Sequence, residues 1–145
     1  MNSQEEIGKL RRLLLQTAEY VNRGDAGLFF DLWEDKGIVL APETPPLCGT
    51  LPLFNWLVDC MQNNRFECEL DVYEIQVEKS FGYIYGGYYI RRTDEENGCI
   101  RVYSGNFLTV VHKTIVNKTI FHKDGPEPEW RFLRCCYNSG IPPAN

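Results

Sequence analysis

Tyrosine is the residue type in this sequence with the most potential to bind a small molecule. A buried phenol needs a hydrogen-bond partner, and a ligand carbonyl or hydroxyl can supply one. Neighbouring residues of a strand face opposite sides, so at most one of Tyr88 and Tyr89 can line an interior. Core packing is the alternative, and we favour it for the three tryptophans. The tyrosines that fall on predicted strands are Tyr73, Tyr83, Tyr85, Tyr88, Tyr89, Tyr103 and Tyr137.

Cysteine and histidine could supply thiol or metal chemistry, but their spacing argues against both. There is no CxxC pair, and the N-terminal stretch MNSQEEIGKL lacks the apolar segment of an export signal. We therefore expect a cytoplasmic protein whose thiols are reduced and pack as small hydrophobes. His112 and His122 match no zinc-binding spacing, and no phosphate-binding glycine motif is present, so we expect no metal and no cofactor. The cysteines are Cys48, Cys60, Cys68, Cys99, Cys135 and Cys136.

Length and charge narrow the range of partners. The 145 residues are the usual length of one domain, so we predict a single domain over residues 1–145. The formal net charge of −5 disfavours binding to nucleic acid or to an anionic membrane. No apolar run approaches the roughly 18 residues that a membrane-spanning helix needs. A small molecule or another protein is therefore the expected partner.

Helical signals occupy the first half of the chain. Ser3 and Glu6 fit a capping box, and apolar residues recur at helical spacing from Ile7 to Val21. A short second helix is predicted after Asp25 and is expected to carry Trp33. A third helix is predicted with Pro52 in its first turn, and it ends before Asn63-Asn64.

Strand signals occupy the rest. A short strand over 38–41 precedes the third helix, and long strands are predicted over 66–78, 83–93, 99–113 and 130–138. The alternation over 66–78 changes phase near Val72-Tyr73, which predicts a β-bulge. Gly86-Gly87 and Gly105 predict kinks in the next two strands. Helices followed by long, bent strands indicate an α+β fold with a curved sheet.

The order of these motifs resembles that of the SnoaL-like and ketosteroid-isomerase-like branch of the nuclear transport factor 2-like superfamily. The resemblance runs through NRGDAGLFFDLWEDKGIVLAP, PPLCG, GYIYGGYYIRRT, GNFLTVVHK and EWRFLRCCYNSGIPP. It implies a cystatin-like cone in which N-terminal helices pack on a strongly curved, mostly antiparallel sheet. It further implies an internal pocket for a small apolar or aromatic molecule, and a homodimer formed through the sheet.

The catalytic positions of the resembled isomerases are not matched. Their general-base aspartate precedes a proline, and the corresponding residues here are Ala41-Pro42. Their second acid lies on the penultimate strand, but this chain has no acid between Arg101 and Lys123. Their helix-1 tyrosine falls near Thr17, with Tyr20 one turn away. The Asp-Arg-Asp trio of related epoxide hydrolases cannot be assembled, although Asp31, Arg91 and Arg134 are the nearest candidates. The remaining candidate base is Glu43 in the following loop, and its alternative is a solvated loop acid.

Two functions remain open at this point. The first is a cofactor-free isomerase or cyclase of a secondary metabolite, with Glu43 and Tyr20 as catalytic residues. The second is a non-catalytic ligand-binding or dimerisation module. In either case the expected ligand-binding residues are Thr17, Tyr88, Tyr103 and Tyr137. The near-repeat HKTIVNKTIFHK over 112–123 additionally predicts an edge ribbon or hairpin that projects from the sheet.

Overall fold

Residues 3–115 and 128–140 are described by the computed structural model, which packs helices against a six-stranded sheet. The α+β class expected from the sequence is confirmed. None of the described helices is long and apolar enough to cross a membrane. The elements are α1 (Ser3–Arg23), α2 (Ala26–Phe30), β1 (Trp33–Leu40), β2 (Leu47–Cys48), α3 (Thr50–Met61), β3 (Asn64–Glu78), β4 (Phe81–Asp94), β5 (Ile100–Ile115) and β6 (Pro128–Tyr137).

The sheet has the strand order β2-β1-β6-β5-β4-β3. From β3 to β6 each strand pairs antiparallel with the next one in the chain. β1 pairs in parallel with β6, where Val39 lies opposite Cys135, and antiparallel with the short β2. The sheet is therefore mostly antiparallel, as expected, and its one parallel pair joins the first strand to the last.

A bulge and a glycine bend the long strands. The register of β3 against β4 shifts between Val72 and Glu74, so the bulge predicted near Val72-Tyr73 is confirmed. Opposite the bulge, the Asp71 carbonyl lies directly over Gly86, where any β-carbon would collide with it. The absence of a side chain at Gly86 thus lets neighbouring backbone approach closely and lets the sheet curve around its core.

The core lies between the helices and the concave face of the sheet, which is the face toward α1. Leu10, Leu13 and Leu14 share one face of α1 and are buried against it. The sheet contributes the alternate residues of each strand, such as Ile84 of β4 and Val111 of β5, both fully buried. The helical spacing of apolar residues in α1 and their alternation in the strands therefore bring the apolar side chains of both into one layer.

The expectation that Trp33 belongs to the second helix is wrong. That helix ends at Phe30, and Trp33 begins β1. The Phe132 amide donates to the Leu32 carbonyl (2.8 Å), and the ring of Trp33 packs 5.3 Å from that of Phe132. Pairing with β6 thus overrides a local apolar spacing that is compatible with a helix.

The predicted capping role of Glu6 is also wrong. Its carboxylate is buried and accepts hydrogen bonds from Trp130 Nε1 (2.5 Å) and Lys113 Nζ (2.9 Å). Lys9 lies one turn further along α1, with its Nζ 3.5 Å from the same carboxylate. Glu6 therefore ties the first turn of α1 to β5 and β6.

The ribbon predicted over 112–123 falls largely outside the described residues. Its first residues, His112 to Ile115, continue β5 and pair with β6. The remainder of that prediction is not tested.

Candidate ligand-binding site

A cavity of about 170 Å³ lies between α1 and the concave face of the sheet. Its lining is mostly aliphatic and aromatic, including Leu14, Val21 and Phe107. The lining residues that carry a hydroxyl or a thiol are Thr17, Cys68, Tyr88, Thr109, Cys135 and Tyr137.

Strand and helix periods bring these polar side chains together. Leu14, Thr17 and Val21 are spaced by three and four residues, so they share one stripe of α1. On the sheet, every second residue of a strand faces the cavity, as Thr109 does after Phe107 and Tyr137 does after Cys135. The cavity is therefore lined by the same faces of α1 and of the sheet that form the core.

Three of the four hydroxyls already donate to backbone carbonyls. Thr17 donates to Leu13 O (2.9 Å), and Thr109 donates to Arg134 O across the β5–β6 pair (2.9 Å). Tyr88 donates to Asn138 O at 2.5 Å. Each of these hydroxyls can still accept a hydrogen bond, but its proton is committed.

Tyr137 differs from the other three. Its ring packs edge-on against Tyr88, with centroids 5.6 Å apart, and its hydroxyl has no hydrogen-bond partner among residues 3–115 and 128–140. Trp33 Nε1 also has no partner in that part of the chain, but protein atoms cover it completely. Tyr137 is therefore the hydroxyl of the lining residues whose proton is not donated to a protein acceptor in that part of the chain.

Burial keeps the ionisable groups of the cavity neutral. It raises the pKa of Cys68 to about 11, with a smaller contribution from the charge of Glu69. Burial likewise raises the pKa of Cys135 to about 12, and it raises the pKa of Tyr88 and Tyr137. Because thiols and phenols are protonated at neutral pH under these conditions, none of them can serve as a general base.

The structure brings together some of the residues predicted from the sequence and separates others. Thr17, Tyr88 and Tyr137 line the cavity. Tyr20 lies on α1 outside the lining stripe, and Glu43 is exposed in the loop after β1. Tyr103 is on the concave face opposite Ile90, beyond the cavity, and is 37% exposed.

Sequence reasoning missed Cys68, Thr109 and Cys135 as lining residues. The alternation over 66–78 placed Cys68 on the same face as Leu70, so a period-two signal was available for it. No comparable signal marked Cys135, because its neighbour Cys136 is as apolar and only the register with β5 decides which one faces inward.

Gly105 pairs with Tyr88, a residue of the cavity lining. The chain after β6 continues alongside β5, and the Asn138 carbonyl lies so close to Gly105 that a β-carbon would collide with it. Asn106 and Asn138 exchange hydrogen bonds beside this close contact, at 2.9 and 3.0 Å. The Tyr88 hydroxyl, which donates to the same carbonyl, therefore has a structural role in holding this segment.

Comparison with solved structures identifies the architecture. A ketosteroid isomerase-like protein from Erwinia carotovora atroseptica superposes with a TM-score of 0.78 at 16% identity, over 95% of this chain and 98% of that one. A nuclear transport factor 2-like protein from Streptomyces avermitilis, described as a candidate dehydratase, superposes with a TM-score of 0.76 at 15% identity, over 96% and 99%. A nuclear transport factor 2-like protein with a cystatin-like fold from Novosphingobium aromaticivorans gives 0.65 at 15% identity, over 92% and 81%.

This chain has the nuclear transport factor 2-like fold. The cone predicted from the sequence resemblance is thereby confirmed. The sequence itself matches no protein-family model and no curated protein. At these identities the likeness establishes the nuclear transport factor 2-like fold alone, so the function must be argued from the site.

Within this nuclear transport factor 2-like fold, His112 lies away from the cavity. It is on the convex face, which is the face of the sheet turned away from α1, and pairs with Phe81 and Arg131 on neighbouring strands. Its Nδ1 is 2.7 Å from Glu34 Oε1, and its ring stacks on Phe81 at 4.4 Å. In the described ranges, His, Cys, Asp and Glu side chains form no cluster of three or more that could hold a metal ion.

Proposed function

We propose that this protein is a non-catalytic binding module for a small molecule whose apolar part fills the cavity. The observation that carries the proposal is the cavity lining, which among the described residues contains no carboxylate and no imidazole. Proton abstraction requires a base within reach of the substrate, and the thiols and phenols present are held neutral. The isomerase or cyclase alternative, with Glu43 and Tyr20 as catalytic groups, lacks such a base at the cavity.

The volume of the cavity limits the apolar part of the ligand to about one ring. An apolar protein cavity of about 150 Å³ is known to stay dry and to bind benzene. The cavity of about 170 Å³ is slightly larger, which suits a substituted single ring. A fused four-ring skeleton would need a far larger space.

The free Tyr137 hydroxyl favours a ligand that carries an acceptor oxygen near its ring. A ligand that covers this hydroxyl with an apolar group would leave the donor unpaired at a cost of about 1–3 kcal/mol, and an acceptor on the ligand avoids that cost. The hydroxyls of Thr17, Tyr88 and Thr109 have already donated their protons and cannot replace Tyr137 in this role.

We expect Tyr137→Phe to weaken binding of acetophenone about five- to tenfold, since one neutral hydrogen bond contributes about 1 kcal/mol. Binding of α-methylstyrene, which has the same shape but no acceptor, should change less than about twofold, because the volume of the side chain is nearly conserved. Both affinities can be measured by NMR titration of the cavity methyl groups.

The matched control is Tyr88→Phe, which also removes a phenol from the cavity lining. Because Tyr88 donates to Asn138 O, this variant should lose about 1 kcal/mol of stability. The ratio of its affinities for acetophenone and α-methylstyrene should be the same as in the wild-type protein. Failure of the wild-type protein to bind either probe would contradict the proposed function. Turnover of an isomerase or cyclase substrate that depends on Glu43 would favour the enzyme instead.

We further infer that two copies pair through the convex face. Exposed apolar side chains form a row across adjacent strands, in which Leu40 neighbours Cys136, Cys136 pairs with Leu108, and Leu108 pairs with Tyr85. A row of this kind is typical of a protein–protein contact. Acidic residues flank it on β3 and Arg134 flanks it on β6, so a twofold axis along β5 would place opposite charges together.

Leu108→Glu should convert this dimer to a monomer, because two carboxylates would have to be buried opposite each other. Leu108 is 49% exposed in the single chain, so the substitution should leave the fold intact. Leu15→Glu is the matched control, since Leu15 is 72% exposed on α1, away from the sheet face. Sedimentation velocity at micromolar concentration measures the effect, and a monomeric wild-type protein would contradict the dimer.

A further inference from the structure

Two arginines lie just beyond the cavity on the concave face. Along β4 and β5 the cross-strand pairs on this face are Tyr88 with Gly105, then Ile90 with Tyr103, then Arg92 with Arg101. Tyr88 and Ile90 line the cavity, and successive pairs on one face of a sheet are about 7 Å apart. The two guanidinium groups therefore follow directly after the last residues of the cavity wall.

Arg92 and Arg101 place two positive charges at directly paired positions in the described part of the chain. Neither arginine forms an ion pair there, although like charges placed directly opposite on a sheet are destabilising. The nearest acid along β4, Asp94, accepts hydrogen bonds from the amides of the following turn.

Arg91 shows what an ordinary surface arginine does in the same strand. It faces the convex side and lies 3.7 Å from Glu67. Arg92 instead lies over the ring of Tyr103, with its Cζ 5.6 Å from the centroid. Stacking of this kind holds a guanidinium in place while its N–H groups stay available to an anion.

We infer that Arg92 and Arg101 bind a carboxylate of the same ligand whose ring occupies the cavity. This inference rests on the proposed function and specifies its ligand as a ring joined to a carboxylate by a short flexible linker. The uncharged lining keeps the carboxylate out of the cavity, and the arginine pair receives it about one row of residues further on. A charge-assisted contact with two guanidinium groups stabilises the bound anion and relieves their mutual repulsion.

The test compares 4-phenylbutyrate with 4-phenylbutanamide, which has the same ring and linker but no charge. The wild-type protein should bind the carboxylate about tenfold more tightly than the amide, and high salt should reduce the ratio. Arg92→Gln and Arg101→Gln should each bring the ratio close to one. Arg91→Gln, the matched control on the opposite face, should leave it unchanged.

Two outcomes separate this inference from the proposed function. If neither 4-phenylbutanamide nor α-methylstyrene binds, the cavity is not a ligand site and both proposals fail. If the neutral probes bind but the carboxylate has no advantage, or keeps its advantage in Arg92→Gln and Arg101→Gln, only the arginine subsite is overturned. α-Methylstyrene binding to each variant reports whether the cavity itself remains intact.

Discussion

Replacement of Glu6 by alanine is expected to lower the free energy of unfolding by about 3–5 kcal/mol, the cost of leaving a buried charge without its partner. The Glu6 carboxylate accepts hydrogen bonds from Trp130 and Lys113, and only 17% of the Lys113 side chain is exposed. The alanine variant would leave the ammonium and the indole N–H without their acceptor. Urea unfolding followed by tryptophan fluorescence measures the loss.

Glu5→Ala is the control, because Glu5 precedes Glu6 in α1 but is exposed. Its effect should stay within about 0.5 kcal/mol, as is usual for surface substitutions. Replacing Glu6 and Lys113 together by methionine should cost less than Glu6→Ala, since no unpaired charge remains. A Glu6→Ala variant as stable as Glu5→Ala would show that the pair contributes nothing.

Glu6 should also make stability depend on pH. Burial acts to raise its pKa, but the hydrogen bonds from Trp130 and Lys113 and the charges of Lys113 and Lys9 outweigh burial and lower the pKa below 4.5. A carboxyl whose pKa is depressed by folding stabilises the protein fully above its unfolded pKa and loses that effect as pH falls through its folded pKa.

The stability difference between wild type and Glu6→Gln should therefore be constant near neutral pH and shrink below about pH 4.5. Urea unfolding of both proteins over this range measures it. A difference that stays the same down to about pH 2 would exclude Glu6 as the titrating group.

Gly105→Ala is expected to destabilise the protein by about 3 kcal/mol, because the added methyl group would collide with the Asn138 carbonyl. That carbonyl belongs to the backbone and also accepts the Tyr88 hydroxyl, so it cannot move without breaking a hydrogen bond. Binding of α-methylstyrene should weaken as well, since displacing Asn138 would also displace Tyr88, which lines the cavity.

Gly8→Ala provides the contrast for this substitution. Gly8 lies within α1, and apart from its own helix backbone and chain neighbours no atom would be within 4 Å of an added β-carbon. Alanine there should raise stability by roughly 0.5–1 kcal/mol through its better helix propensity. If Gly105→Ala and Gly8→Ala have similar thermal midpoints, the close approach at Gly105 does not constrain the fold.

Local patterns predicted the elements well where the deciding interactions are local. The bulge at Val72-Tyr73 follows from a change of phase in adjacent residues, and the α1 stripe follows from helical spacing. Trp33 and Glu6 were assigned wrongly because their deciding partners lie far away in the chain. Packing against Phe132 holds Trp33 in β1, and hydrogen bonds from Lys113 and Trp130 hold the Glu6 carboxylate.

The candidate site was predictable only in part for a related reason. Period-two alternation showed which tyrosines could share a face, and Thr17, Tyr88 and Tyr137 do line the cavity. It could not show how far the cavity extends across that face, so Tyr103 was expected to line the cavity, although only its cross-strand partner Ile90 does. Nor could it show that Tyr88 is already engaged by Asn138, a contact between residues 50 positions apart.

The parallel pairing of β1 with β6 imposes an order on folding. Strands β3 to β5 can pair as successive hairpins as soon as each one is synthesised, because the partner of each strand is adjacent in the chain. β1 has only the two-residue β2 beside it until β6 emerges, almost one hundred residues later. During synthesis the edge of β1 that later pairs with β6 therefore has unpaired backbone hydrogen-bonding groups. If translation stops before β6, the sheet stays open at this edge, where a chaperone or another incomplete chain can bind.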